Sequence, residues 1–346
     1  MTVSRTNSFA AAELLQYSAA EIDGPLRAAV AQLPEPLCAA AGFHFGWWDA
    51  EMNPVTAPHG KMLRPALVLN AARAFDGDRR NNNLALRAGI AIELVHNFSL
   101  VHDDIMDVDR TRRGRPTVWT QFGVPSAILL GDALLALAGQ VLAQEGEPNA
   151  AALCAELGSV VVALCQGQQR DMDFEQLPAV SVDDYLTMAA GKTSALISGA
   201  CVLGSMAGGA LNHQVSAFRR FGHHMGLAFQ LVDDVLGIYG DPDVTGKPVG
   251  ADLLRYKKTM PVVAAMASDS AAGESLVALY RTRSITAERL PEAVELVDQA
   301  GGRERTEAEA QHQWRLALRC LDEIGGDLEA IEATRALADL MLTRSK

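Results

Sequence analysis

The chain has 346 residues and a net charge of −12, from 42 Asp and Glu against 30 Lys and Arg. So acidic a chain repels nucleic acid, which excludes a general DNA- or RNA-binding role; an anionic ligand would need local cations or bound metal. Hydrophobic residues make up 49% and aromatics only 5%, with Ala and Leu recurring, which favours closely packed helices over a β-sandwich.

Residues 1–40 read as an N-terminal arm and one amphipathic helix, without the cationic stretch and apolar run of a secretory leader. The stretch 42–60 is rich in Gly, Pro, Trp and His and reads as an irregular connection, with HFGWW at 44–48 expected to pack against helices. GKMLRP at 60–65 places Lys61 and Arg64 on one face near a helix start. A helix is expected from about 65 to 75, and DGDRRNNN at 76–83 is a loop by composition. From 84 to 108 the chain is strongly apolar, without Pro and with one Gly. As a helix it would span about 37 Å, and its apolar circumference predicts a path through the core. It carries His96, Phe98 and Ser99. His96 suits a satisfied core histidine as well as a ligand contact.

That helix runs into HDDIMDVDRTRRGRPT at 102–117. Asp103 and Asp107 are i and i+4, so they share a face about 6 Å apart. Two carboxylates there repel unless a cation lies between them, and magnesium takes one or two carboxylates with water and phosphate. Asp104 points about 100° away, as expected of a residue behind the metal ligands. Arg112 and Arg113 follow, and a guanidinium grips phosphate oxygens as a bidentate fork. Acid beside base at this spacing suits a metal-bridged diphosphate.

Further helices are expected over roughly 125–144, 148–174, 181–208, 212–238 and 257–282. No alternating run is long enough to read as a strand, and no low-complexity linker divides the chain. The reading is a single all-α domain over 1–346, with about 285–346 as a helical appendage. No charge-free apolar window of membrane-spanning length is apparent, so no membrane span is expected. Cys38, Cys154, Cys165, Cys201 and Cys320 form no CxxC pair and read as reduced core thiols of a cytoplasmic protein.

Two of these helices carry chemistry. GKTSAL at 191–196 sets Lys192 and Thr193 in an apolar run, where a lysine is costly to bury without an anion. The upstream spacing is not that of a Walker A loop. FQLVDD at 229–234 ends another apolar helix with Asp233 and Asp234, and Gln230 sits one turn earlier on the same side. The i+4 position is Gly237, which offers no side-chain ligand. Asp241 is eight residues on, between Gly240 and Pro242, and its direction is open. Asp233 is therefore the expected ligand, with water or Asp241 completing the shell. Lys247 lies in a Thr-Gly-Lys turn, and Lys257 and Lys258 come ten residues later.

Five segments in one order, GKMLRP, HDDIMD with TRRG, GKTSAL, FQLVDD, and TGK with YKK, make the sequence resemble the trans-isoprenyl diphosphate synthases over about residues 55–265. The resemblance implies an isoprenoid synthase helical bundle around a deep central cavity, usually a homodimer. It implies magnesium, two ions on Asp103 and Asp107 and a third on Asp233, with Asp234 and Asp241 weaker candidates. Arg112, Lys192, Thr193, Gln230, Lys247 and Lys257 would contact the allylic diphosphate or its metals. Lys61, Arg64, His96 and Arg113 would hold isopentenyl diphosphate. The second motif departs from the family pattern: DDxxD reads DDVLG.

In this family the positions four and five before the first Asp help set product length; here they are Ser99 and Phe98. Ser99 is small and near the Asp103 face, whereas Phe98 lies about 140° off it. An aromatic there, with no insertion in DDIMD, looks most like geranylgeranyl diphosphate synthases (C20), with C15 next and geranylfarnesyl (C25) after it. Two rival readings stand beside this one, the first on the shared motif and the loose i, i+4, i+8 spacing of Asp233, Gly237 and Asp241, the second on Gly237. A class I terpene cyclase shares the first motif but needs no second diphosphate site. An inactive regulatory subunit of a heteromeric synthase would explain the lost Asp.

Overall fold

A computed structural model describes residues 5–55, 62–76, 82–143, 149–240 and 250–342. Lys61, Asp241 and Lys247 lie outside the described residues. The described chain is almost wholly helical, the all-α class expected. In order the elements are α1 (Arg5–Val30), α2 (Leu37–Phe45), α3 (Leu63–Arg73), α4 (Asn82–Met106), β1 (Thr111–Arg112), β2 (Arg115–Pro116), α5 (Val118–Phe122) and α6 (Val124–Leu142). There follow α7 (Ala150–Gln176), α8 (Val182–Ala189), a π-helical turn (Ala190–Ser194), α9 (Ala195–Ala207) and α10 (Asn212–Tyr239). The last are α11 (Ala251–Leu254), α12 (Met260–Met266), α13 (Ala271–Thr282), α14 (Leu290–Gln299), α15 (Gly302–Asp322) and α16 (Leu328–Leu342).

By its contacts the chain divides into two compact units. The first comprises Met1–Val161, Gly199–Arg219 and Ile324–Leu337. Its axis is α4, which packs on α6, α3 and α1. Ile92, Leu94 and Val95 are fully buried, as an all-round apolar helix requires. Asn70 on α3 is also buried, and its amide donates to Ala330 O at 2.7 Å and Thr334 Oγ1 at 2.6 Å, which docks α16. The second unit comprises Val162–Ser198, Arg220–Glu323 and Ala338–Lys346. One of its apolar clusters joins Phe174, Tyr185, Met188, Leu231, Met260 and Val263. That cluster fixes α8 and α10 against α12.

Four sequence expectations are corrected. The 42–60 connection begins later than expected, because α2 continues to Phe45 and ends at Gly46 in the left-handed region, φ 76°. HFGWW does pack: Trp47 stacks on Phe45 at 4.7 Å, and Trp48 Nε1 donates to Ala39 O at 2.8 Å. A strand pair exists after all, β1 with β2, each two residues long and so too short to show alternation. The helix expected over 257–282 is broken into α12 and α13, bent by 117°, because Ser270 caps α13 by accepting from Gly273 N at 3.1 Å. Cys165 is exposed and only Cys201 and Cys320 are buried, so the five free thiols are not all core residues.

Asn83–Met106, Val124–Leu142, Ala150–Gln176 and Val182–Ala207 are each long and apolar enough to cross a membrane, by length and composition. The sequence reading required a charge-free window, whereas these segments tolerate up to two charges. The window in α4 is 72% buried within the protein, but those in α6 and α7 only 39% and 33%. Among the described residues, most of those two windows is therefore not buried.

Candidate active site

The first acidic cluster forms at the end of α4. The Asp107 amide donates to Asp103 O at 2.8 Å, so helical register persists through Asp107 and the two carboxylates keep their shared face. Both residues are partly exposed. Asp104 turns the other way and is buried, at 1% exposure. Its Oδ1 accepts from Arg112 Nε at 2.8 Å and Nη2 at 2.7 Å. Burial raises the Asp104 carboxyl above its ordinary value, and Arg112 opposes that. Burial also works against the Arg112 charge, but the Asp104 bond and charge outweigh it and raise its pKa.

Arg112 reaches back because TRRGRP folds into a hairpin. Arg113 (φ 52°) and Gly114 (φ 75°) are both left-handed, the geometry of a two-residue type I′ turn. Arg115 ties the hairpin to the aromatic segment, donating to Phe43 O at 3.1 Å and Trp48 O at 2.9 Å. Phe43, His44, Asp104, Arg112, Arg113 and Arg115 line a cleft between them.

Behind this cleft lies a polar chain buried on α4. His44 Nε2 is 3.0 Å from Asn97 Oδ1, and Asn97 Nδ2 donates to Glu93 Oε1 at 2.9 Å. An amide oxygen only accepts, so His44 Nε2 carries the proton. Burial, then Arg112 and Arg113, lower the His44 pKa to about 3, so the ring is neutral. His96 is neutral for the same causes, burial first and then Arg64 and Arg113. Arg64 Nη1 lies 3.2 Å from His96 Nε2. The guanidinium has only donors, so Nε2 accepts and Nδ1 carries the proton of the neutral ring.

The second cluster is in the other unit. Asp233 is exposed at the surface of α10, while Asp234 is 5% exposed and points inward. Asp234 accepts from Tyr185 Oη, from Gln230 Nε2 at 2.8 Å and from Met260 N at 2.8 Å. Thr193 Oγ1 donates to Gln230 Oε1 at 2.5 Å, extending the chain to the π turn. Lys192 in that turn meets Asp171 Oδ2 at 2.5 Å, the anionic partner its burial demands. The turn is pressed against α7: a Cβ on Gly167 would lie 2.0 Å from Lys192 N, so only glycine fits. Of the neighbouring lysines, Lys258 donates to Phe174 O at 2.6 Å.

The polyprenyl synthetase family profile matches residues 46–297. The chain is 47% identical over 312 residues to a geranylgeranyl diphosphate synthase of Mycobacterium tuberculosis, covering 90% of this chain and 85% of that one. It is 42% identical to a (2E,6E)-farnesyl diphosphate synthase of Mycobacterium bovis, over 82% and 79% of the two chains. In structure it matches a polyprenyl synthetase from Streptomyces coelicolor with a TM-score of 0.91 at 39% identity, over 96% and 99% of the chains. The chain belongs to the polyprenyl synthetase family.

As a polyprenyl synthetase it is a prenyl-transferring enzyme, and the sequence reading missed three polar residues that partner or border its candidate site residues. Asp171 was signalled only by the need of Lys192 for an anion. Tyr185 and His44 sat in apolar and aromatic runs and looked like packing. The synthetase also carries a pH signature. Burial raises Asp234 from 3.8 to about 7, opposed by the bonds from Met260, Tyr185 and Gln230 and aided by the charge of Asp252. A carboxyl whose pKa is higher in the folded state binds its proton more tightly there. Its stabilising contribution is full below about pH 4 and is lost as the pH rises toward about 7. Asp234→Asn is expected to flatten that part of the stability profile, measured by urea unfolding without magnesium. An unchanged slope between those limits would show that Asp234 does not titrate there.

Proposed function

We propose that this synthetase condenses isopentenyl diphosphate with an allylic diphosphate to give C20 geranylgeranyl diphosphate, with magnesium held by Asp103, Asp107 and Asp233. The observation carrying the metal assignment is the Asp103–Asp107 pair, two hard oxygen donors one helical turn apart. Among the described residues no three His, Cys, Asp or Glu could hold a metal together, so water and substrate phosphate would complete each shell. Three ions in all match the three carboxylates. Bound there, magnesium supplies Lewis-acid stabilisation of the departing diphosphate.

The protein's own groups do the rest. Lys192, Thr193, Gln230 and Lys257, with Lys247, would orient the allylic diphosphate, and Arg112 would add charge near Asp103. Arg64, His96 and Arg113, with Lys61, would hold the second diphosphate so that the isopentenyl double bond lies in line with the allylic carbon. The allylic C–O bond breaks, the double bond attacks the carbocation, and the proton leaves to the departing diphosphate. No protein nucleophile is required.

Support for the proposed chain length comes from α4. Phe98 is 6% exposed, and its ring meets the His102 ring edge-on at 5.2 Å. It is therefore committed to the His102 side of the helix. On the Asp103 side stands Ser99, whose hydroxyl turns back to His96 O at 2.7 Å. No bulky group at these two positions blocks that side, which supports C20 over C15.

The assembly we propose is a cytoplasmic homodimer, supported by the exposed Val124, Ile128 and Leu129 of α6. One experiment addresses both points. The purified chain is sized by sedimentation, then incubated with isopentenyl diphosphate and each allylic starter, with magnesium and with a chelator. A dimer that extends farnesyl diphosphate to C20, and stops with chelator, is expected. Failure to extend farnesyl diphosphate removes C20, and a monomer removes the dimer.

A further inference from the structure

Gly237 stands where the family pattern places the last carboxylate of the second motif. The position is i+4 from Asp233, so a side chain there would lie on the Asp233 face one turn along α10. That space is occupied. A Cβ built on Gly237 would lie 2.0 Å from Oδ2 of Asp252 and 2.9 Å from its Cγ. The Asp252 carboxylate thus rests on bare backbone, closer than any residue with a Cβ would allow.

The local backbone delivers it there. Gly250, left-handed at φ 70°, starts α11, and its amide donates to Ile238 O at 3.2 Å, beside Gly237. Asp252 is the second residue of α11, and its carbonyl accepts from Lys257 N at 3.0 Å. Both ends of the short element are therefore fixed. Asp252 is partly exposed. Asp234 cannot serve instead, since three hydrogen bonds turn it inward.

We propose that Asp252 supplies through space the carboxylate missing at Gly237, and so completes the magnesium site begun by Asp233. This rests on the reading that Asp233 holds a magnesium ion. It makes Gly237 a required vacancy rather than a lost ligand. It also explains how an enzyme can keep the site's charge without the motif.

The test is magnesium titration by thermal shift with inorganic diphosphate, which needs no turnover. Asp252→Asn is expected to raise half-saturating magnesium about tenfold, and the exchange Gly237→Asp with Asp252→Gly to return it to within about threefold of the unaltered protein. Rescue by the exchange is what a merely structural role of Asp252 would not produce. Asp252→Asn titrating like the unaltered protein overturns the proposal. So does a folded exchange protein no better than Asp252→Asn. Should the exchange protein not fold, Asp252→Asn alone decides. Asp233→Ala separates the two levels: if it leaves the titration unchanged, the magnesium reading of the site fails, and the proposal falls with it.

Discussion

Asp103→Ala is expected to reduce turnover on the order of a thousandfold while leaving the fold intact. The size follows from the role: a Lewis acid at a departing diphosphate is worth several kcal/mol, and about 4 kcal/mol is roughly a thousandfold. The fold should survive because the Asp103 side chain is 23% exposed and sits in the last turn of α4. Rapid-quench turnover with saturating substrates, beside a circular-dichroism melt, separates the two effects. A variant that keeps a tenth of its activity at ordinary magnesium would remove Asp103 from the metal site.

Asp104→Ala, one residue away, should behave in the opposite sense. It removes the carboxylate that pairs with Arg112 at 2.7 Å and leaves a partly buried guanidinium with only the 3.8 Å contact to Asp103. Breaking one side of such a pair costs about 3 kcal/mol or more, because desolvation of the remaining charge is no longer offset. Replacing both partners, as Asp104→Leu with Arg112→Leu, should recover most of that stability. It should not recover activity if Arg112 also serves the diphosphate. Urea midpoints of the single and double variants measure the first effect, and turnover the second. A double variant as unstable as the single would show that the pair is not the source of the loss.

These neighbours show what a sequence can disclose. The i, i+4 spacing fixes which carboxylates share a face, and α4 places Asp103 and Asp107 as that rule requires. Asp104 is legible as a residue behind the ligands, but its partner is not. Arg112 reaches it through a type I′ hairpin whose strands are too short for any alternation to appear. The break between α12 and α13 coincides with Ser268, Asp269 and Ser270, three cap- and turn-favouring residues between apolar stretches. Asp252 was invisible for a different reason. Its meeting with Gly237 spans fifteen positions and depends on a tertiary approach that no periodicity encodes. Product length rests on Phe98 and Ser99, whose directions follow from the helical wheel and from the ring of His102.

The π turn at Ala190–Ser194 has a bearing on how this active site could be inherited or lost. A π turn holds one residue more than the α turn it replaces, and such turns cluster at functional sites. Removing a single residue within it would let α8 run straight into α9 as an unbroken α-helix. Residues beyond the cut would keep their register with their neighbours, while those inside would swing by a whole position. Lys192 would then leave Asp171, and Thr193 would leave Gln230, with no residue type changed. The aim of this lysine is therefore written as an insertion in the alphabet of lengths, which a catalogue of point substitutions cannot sample.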